Sequence, residues 1–149
     1  MYRCLIANRG EIAVRIIRAC RELNIETVAI YAKGDENSLH VSLADQAICI
    51  GEANPLDSYL NIDRIISAAK VTESNVIHPG YGFLSESTNF AKAVEDNHIH
   101  FIGPSKTTME MMGDKITARQ TVKQAGVPVI PGSNDAVQSV DEIKLLSKE

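Results

Sequence analysis

Short runs of β-branched and apolar residues alternate along this chain with segments whose apolar positions recur every three or four residues. Arg3-Cys4-Leu5-Ile6-Ala7-Asn8 reads as a buried strand that Gly10 punctuates. From there to Leu23, the positions Ile12, Ile16, Ile17, Cys20 and Leu23 mark one face of a helix. Residues 26–31 predict a second strand and residues 47–50 a third, with a polar loop over residues 33–37. Leu60 to Glu73 is expected to be a helix with Ile62, Ile65, Ile66 and Ala69 turned inward. Val76-Ile77-His78 is a short strand ended by Pro79-Gly80, and residues 99–102 form another that Gly103-Pro104 stops. The helix between them runs from about Ser85, its expected cap, to Asn97.

Strands alternating with amphipathic helices predict an α/β fold, a parallel sheet with helices on both faces. Such sheets bind ligands beyond the carboxyl ends of their strands, which draws attention to the loops after Asn8, Tyr31 and His78. After Pro104 the pattern changes. Ser105 to Met112 is a short helix closed by Gly113, Asp114 caps a further helix to Ala125, and residues 126–133 form a linker rich in turn formers. Ser139-Val140-Asp141-Glu142 is a capping box for a last helix still running at Glu149. Residues 1–104 are therefore expected to form one domain and residues 105–149 the start of another. A chain that stops within a helix is expected to be a fragment.

Composition narrows the classes. With 149 residues, 44% of them hydrophobic and 23% charged, the chain can bury a core, and neither disorder nor a coiled coil fits. Its 15 basic and 19 acidic residues leave a net charge of -4, so no basic field favours nucleic acid. No apolar run approaches membrane-spanning length, and Met1 to Asn8 turns polar too early for a signal peptide, so a cytoplasmic protein is expected. Cys4, Cys20 and Cys49 have neither the even count of a disulfide framework nor zinc-site spacing, and are expected to be buried free thiols.

Four stretches could carry chemistry. Asn8-Arg9-Gly10-Glu11 sits where a dinucleotide-binding loop would lie, but it has one glycine where three are needed, and Arg9 occupies the place of bare backbone. Gly10 then serves a tight turn, although Asp35 after the second strand imitates a ribose-binding acid. His78-Pro79-Gly80-Tyr81-Gly82-Phe83-Leu84-Ser85-Glu86 combines a fixed backbone course with polar groups at a strand's carboxyl end. It is either a rigid turn with a tyrosine lid or a functional loop. Glu11, Arg15, Arg18 and Glu22 share one helix face, as two self-paired couples or as a self-complementary stripe at a two-fold interface. Lys115 falls in the first turn of its helix, where a cation opposes the dipole; it is a surface lysine or a partner for an anion. His40, His98 and His100 show no ligand spacing and no nucleophile elbow exists, so neither a metal site nor a catalytic triad is expected.

Together these stretches resemble the biotin carboxylase family, the ATP-grasp component of biotin-dependent carboxylases. The resemblance lies in ANRGEIAVRIIRAC (residues 7–20), SYLNIDRIISAA (58–69), HPGYGFLSES (78–87), FIGPS (101–105), MGDK (112–115) and AGVPVIPGS (125–133). It departs at Ser87-Thr88, where an asparagine often follows the glutamate. It implies a Rossmann-like domain followed by the first helices of an ATP-grasp region. It also implies an activity: ATP phosphorylates bicarbonate to carboxyphosphate, whose carboxyl group passes to a ureido nitrogen of biotin on a carrier protein.

Within that resemblance Lys115 binds ATP, and His78, Tyr81, Gly82 and Glu86 border the biotin. Arg15, Arg18 and Glu22 lie at a homodimer interface. The glycine-rich lid, the magnesium-binding glutamates and the bicarbonate-binding arginine would follow Glu149, so no catalytic or metal-binding residue is expected in this chain. Taken alone it should be inactive and should hold ATP, magnesium and biotin weakly at best. The early first strand suggests a bacterial acetyl-CoA carboxylase subunit of fatty-acid synthesis, working with a biotin carboxyl carrier protein and a carboxyltransferase. The alternatives are the same domain of a pyruvate or other acyl-CoA carboxylase, or a non-catalytic nucleotide-binding or dimerisation module.

Overall fold

A computed structural model describes residues 2–130 together with Ser139, Val140 and Lys144. The end of the linker, and the capping box with its helix, lie largely outside them. The chain divides into two compact units, Met1–Lys106 and Thr107–Glu149.

In the first unit, β1 (Arg3–Ile6), β2 (Glu26–Ala32), β3 (Gln46–Gly51), β4 (Val76–His78) and β5 (His100–Phe101) form a parallel sheet in the order β3-β2-β1-β4-β5. The intervening helices are α1 (Gly10–Glu22), α2 (Leu39–Leu43), α3 (Ile62–Val71) and α4 (Thr88–Asp96). Crossovers between parallel strands are right-handed. Strand order advances one way from β1 to β3 and the other way from β1 to β5, so α1 and α2 cover one face and α3 and α4 the other. Cys4 and Ile6 point from β1 into a core with Ala13, Ile16, Ile17 and Cys20 of α1. The Cys4 thiol is pushed far above its ordinary range, first by its hydrogen bond with Cys20 and then by burial.

Several expectations are corrected. Cys49 is exposed: along the edge strand β3 side chains alternate between faces, and Ile50 is the one that turns into the core. The helix expected from Ser85 begins at Thr88 and is capped by Ser87, whose Oγ accepts from the Phe90 N–H at 3.2 Å; Ser85 belongs to the preceding turn through its bond to the Gly82 carbonyl. Asn61, rather than Leu60, marks the start of α3, accepting from the Arg64 N–H at 3.1 Å. Neither α2 nor a 3-10 turn over Pro55–Asp57 announces itself in the pattern, being only 5 and 3 residues long.

α5 (Lys106–Gly113) begins at the boundary and takes in Gly113 as its last residue instead of ending before it; α6 (Lys115–Gln124) follows in the second unit. Asp114 caps α6 as expected: its Oδ1 accepts from the Thr117 N–H at 2.8 Å and the Thr117 hydroxyl at 2.9 Å.

Candidate functional site at the carboxyl edge of the sheet

The strand order reverses direction at β1, so the loops after β1 and β4 diverge at the place where open α/β sheets take ligands. Here the two loops are tied together by a side chain of the protein itself. The buried Asn8 side chain donates to the carbonyls of Pro79 (2.7 Å) and Tyr81 (2.8 Å), while its own carbonyl accepts from the Arg9 N–H at 2.9 Å. Gly80 has φ +67°, and a Cβ there would sit 2.7 Å from Asn8 Nδ2. These bonds stitch the 78–86 loop to the loop after β1.

The residues of that loop are displayed in different ways. His78 is half-buried, and its Nδ1 accepts from the Gly80 N–H at 3.0 Å. Burial holds its pKa below the ordinary imidazole value, so the ring is neutral with its proton on Nε2. Tyr81 is 59% exposed and its hydroxyl donates to the Glu11 carboxylate on α1. Gly82 has φ +64° with open space where a Cβ would point, and Glu86 is exposed.

Beside the loop stands a cluster that sequence reasoning did not assemble. Tyr59, 1% exposed, stacks on Phe83 with ring centroids 5.3 Å apart and 13° between planes. The Arg9 guanidinium lies over both rings, at 5.3 and 5.9 Å, and pairs with Asp35 at 3.2 Å. Tyr59 donates its hydroxyl proton to the same Asp35 oxygen at 2.6 Å and accepts from the Ala32 N–H at 3.0 Å. The Tyr59 bond first, then Arg9, holds the Asp35 carboxyl below the usual carboxylate range. Burial first, then Asp35, pushes the Tyr59 hydroxyl well above its own. Arg9, whose side chain speaks against a dinucleotide loop, and Asp35, which imitates a ribose-binding acid, meet each other here.

Arg15, Arg18 and Glu22 are exposed and line an open groove of about 500 Å³ on α1 with Glu11, Val14 and Ala19. Neither Glu11–Arg15 nor Arg18–Glu22 is among the ion pairs of the described residues, and Glu11 is turned to Tyr81 instead. Lys115 belongs to the second unit, exposed at the first position of α6. Among the described residues no group of three or more His, Cys, Asp or Glu could hold a metal ion, and no helix is long and apolar enough to cross a membrane.

Residues 1–109 match the model of the biotin carboxylase N-terminal domain. The chain belongs to that family. It is 54% identical over 147 residues to biotin carboxylase 1 of Bacillus subtilis, covering 99% of this chain and 33% of that protein. It is also 50% identical over 145 residues to the pyruvate carboxylase of the same organism, covering 97% of this chain and 13% of that one. Among solved structures, it superposes with TM-score 0.90 and 49% identity on the biotin carboxylase domain dimer of Hydrogenobacter thermophilus 2-oxoglutarate carboxylase, determined with MgADP, ADP and bicarbonate. That match covers 98% of this chain and 32% of the other. The chain thus spans about a third of the length of the Bacillus biotin carboxylase.

As a biotin carboxylase N-terminal domain, the first unit supplies a rigid sheet edge and a loop clamped to it by Asn8. Glu11 of the α1 stripe reaches this edge through its bond with Tyr81.

Proposed function

We propose that this chain is the N-terminal part of a biotin carboxylase, which uses ATP and bicarbonate to carboxylate biotin on a carrier protein. The observation that carries the reading is the 54% identity across 99% of the chain to a protein of that name. In the reaction the γ-phosphoryl group of ATP passes to a bicarbonate oxygen, giving ADP and carboxyphosphate. The ureido nitrogen of biotin then takes the carboxyl group and gives up its proton as phosphate leaves. His78, Tyr81, Gly82 and Glu86 border the biotin in this reading, Lys115 meets the ATP phosphates, and Arg15, Arg18 and Glu22 pack against a second copy. The dimeric Hydrogenobacter domain supports the last assignment.

The parent protein is placed in the cytoplasm, as the biotin carboxylase of acetyl-CoA carboxylase in fatty-acid synthesis, beside a biotin carboxyl carrier protein and a carboxyltransferase. The identities of 54% to a biotin carboxylase and 50% to a pyruvate carboxylase keep the same domain of a pyruvate carboxylase as the second reading.

The test replaces the matching 147 residues of the Bacillus relative with this chain. The chimera should cleave ATP in a manner dependent on both bicarbonate and free biotin. This chain alone should not, since it spans about a third of the Bacillus relative and phosphoryl transfer relies on the cations and positioning groups of a complete site. A folded, ATP-binding chimera without biotin-dependent turnover would overturn the proposal.

A further inference from the structure

Phe83 carries φ +41°, a left-handed backbone that a bulky side chain adopts only when its surroundings impose it. It directly follows Gly82, so whatever holds Phe83 also sets the course of the residues proposed to face biotin. The hold comes from the ring pair and the cation above it. Tyr59 is fixed through its hydroxyl at both Ala32 and Asp35, Phe83 stacks on Tyr59, and Arg9 covers both rings while its guanidinium is tied to Asp35. These contacts close a ring of four side chains drawn from the loops after β1 and β2, the segment before α3 and the loop after β4. The Arg9 side chain is 48% exposed, so it contributes little as a core prop. Its geometry suits a clamp on the rings, where a planar guanidinium stacks and pairs at once.

We infer that Arg9 is a positioning residue for the 78–86 loop: pinned by Asp35 over the Tyr59–Phe83 pair, it fixes the backbone on which Tyr81 and Gly82 sit. The inference rests on the proposed role of that loop beside biotin. Arg9 touches no reacting atom and acts through Phe83.

The experiment uses the Bacillus chimera and compares Arg9→Met, Arg9→Lys and Gly82→Val. Arg9→Met should raise the KM for free biotin about five- to tenfold, the scale of one lost cation–π clamp, and leave the KM for ATP and the melting temperature nearly unchanged. Arg9→Lys should recover part of the loss, because an ammonium keeps the charge but not the planar face. If Gly82→Val raises the biotin KM and Arg9→Met does not, the role of Arg9 is overturned and that of the loop stands. If neither moves it, the reading of the loop fails and takes the inference with it. Parallel losses in biotin KM, ATP KM and melting temperature would make Arg9 a structural prop and overturn its positioning role.

Discussion

His78 shows how a single side chain can be read for one role and held by another. Its Nδ1 is engaged as an acceptor for the Gly80 N–H, and burial lowers its pKa, so the folded state keeps it neutral. The buried His40 is likewise depressed by burial, with Nε2 against the Ile30 carbonyl at 3.2 Å. A histidine whose folded pKa lies below its unfolded value of about 6.5 stabilises the fold above that value, and the contribution is lost as pH falls, because the unfolded chain takes the proton first. The melting temperature should therefore decline between about pH 7 and 5. His78→Asn, which keeps an acceptor for Gly80 but cannot titrate there, should make that decline shallower; an unaltered slope would show that His78 is not the group titrating. At Lys115, the Asp114 carboxylate is committed to capping Thr117, leaving the ammonium free to turn to an anion. One charge-assisted contact is worth about 1.5 to 3 kcal/mol, so Lys115→Gln in the chimera should weaken ATP binding roughly ten- to a hundredfold. Unchanged ATP KM and turnover would remove Lys115 from the site.

Four helix ends of the described residues share one closing arrangement. α1, α3, α4 and α6 all close with the same paired bonds. In α1 the Ile25 N–H reaches the Cys20 carbonyl and the Asn24 N–H reaches Arg21; in α4 Ile99 reaches Val94 and His98 reaches Glu95. This Schellman closure needs a left-handed residue, ordinarily glycine. Only α6 supplies one, Gly126; Asn24, Glu73 and His98 fill the place with φ of 55°, 54° and 58°. α3 ends two residues before its expected limit, while α1, α4 and α6 each end one residue before theirs, α6 in spite of Gly126. His98 is exposed, and His98→Gly should relieve a left-handed cost of about 1–2 kcal/mol, less the entropy that glycine adds to the unfolded chain. A net gain of roughly 0.5–1 kcal/mol in urea unfolding is expected. A loss would mean that the His98 side chain contributes more than its backbone costs.

At the scale of the whole molecule, α1 presents Arg15, Arg18 and Glu22 to solvent along a groove large enough for side chains of a second copy. In the chimera, Arg18→Glu should raise the dimer dissociation constant at least about tenfold in sedimentation, since like charges facing across a two-fold axis repel. An unchanged constant would leave the stripe as a solvated face. The alternation of strands and amphipathic helices, the inward faces of α1 as far as Cys20 and of α3, the Asp114 cap and the family motifs were determined by the sequence, because each records a local choice between burial and solvent made within a few residues; Leu23, the last apolar position of the first pattern, lies past the end of α1 and is 70% exposed. The order β3-β2-β1-β4-β5, the tie between the loops after β1 and β4 through Asn8 and the meeting of Arg9, Asp35, Tyr59 and Phe83 were decided by the tertiary structure. Those four residues stand 24 or more positions apart along the chain. No periodicity links them. Only the stacking of parallel strands, which brings every βα loop to the same edge of the sheet, places a cation, a carboxylate and two rings within one contact distance.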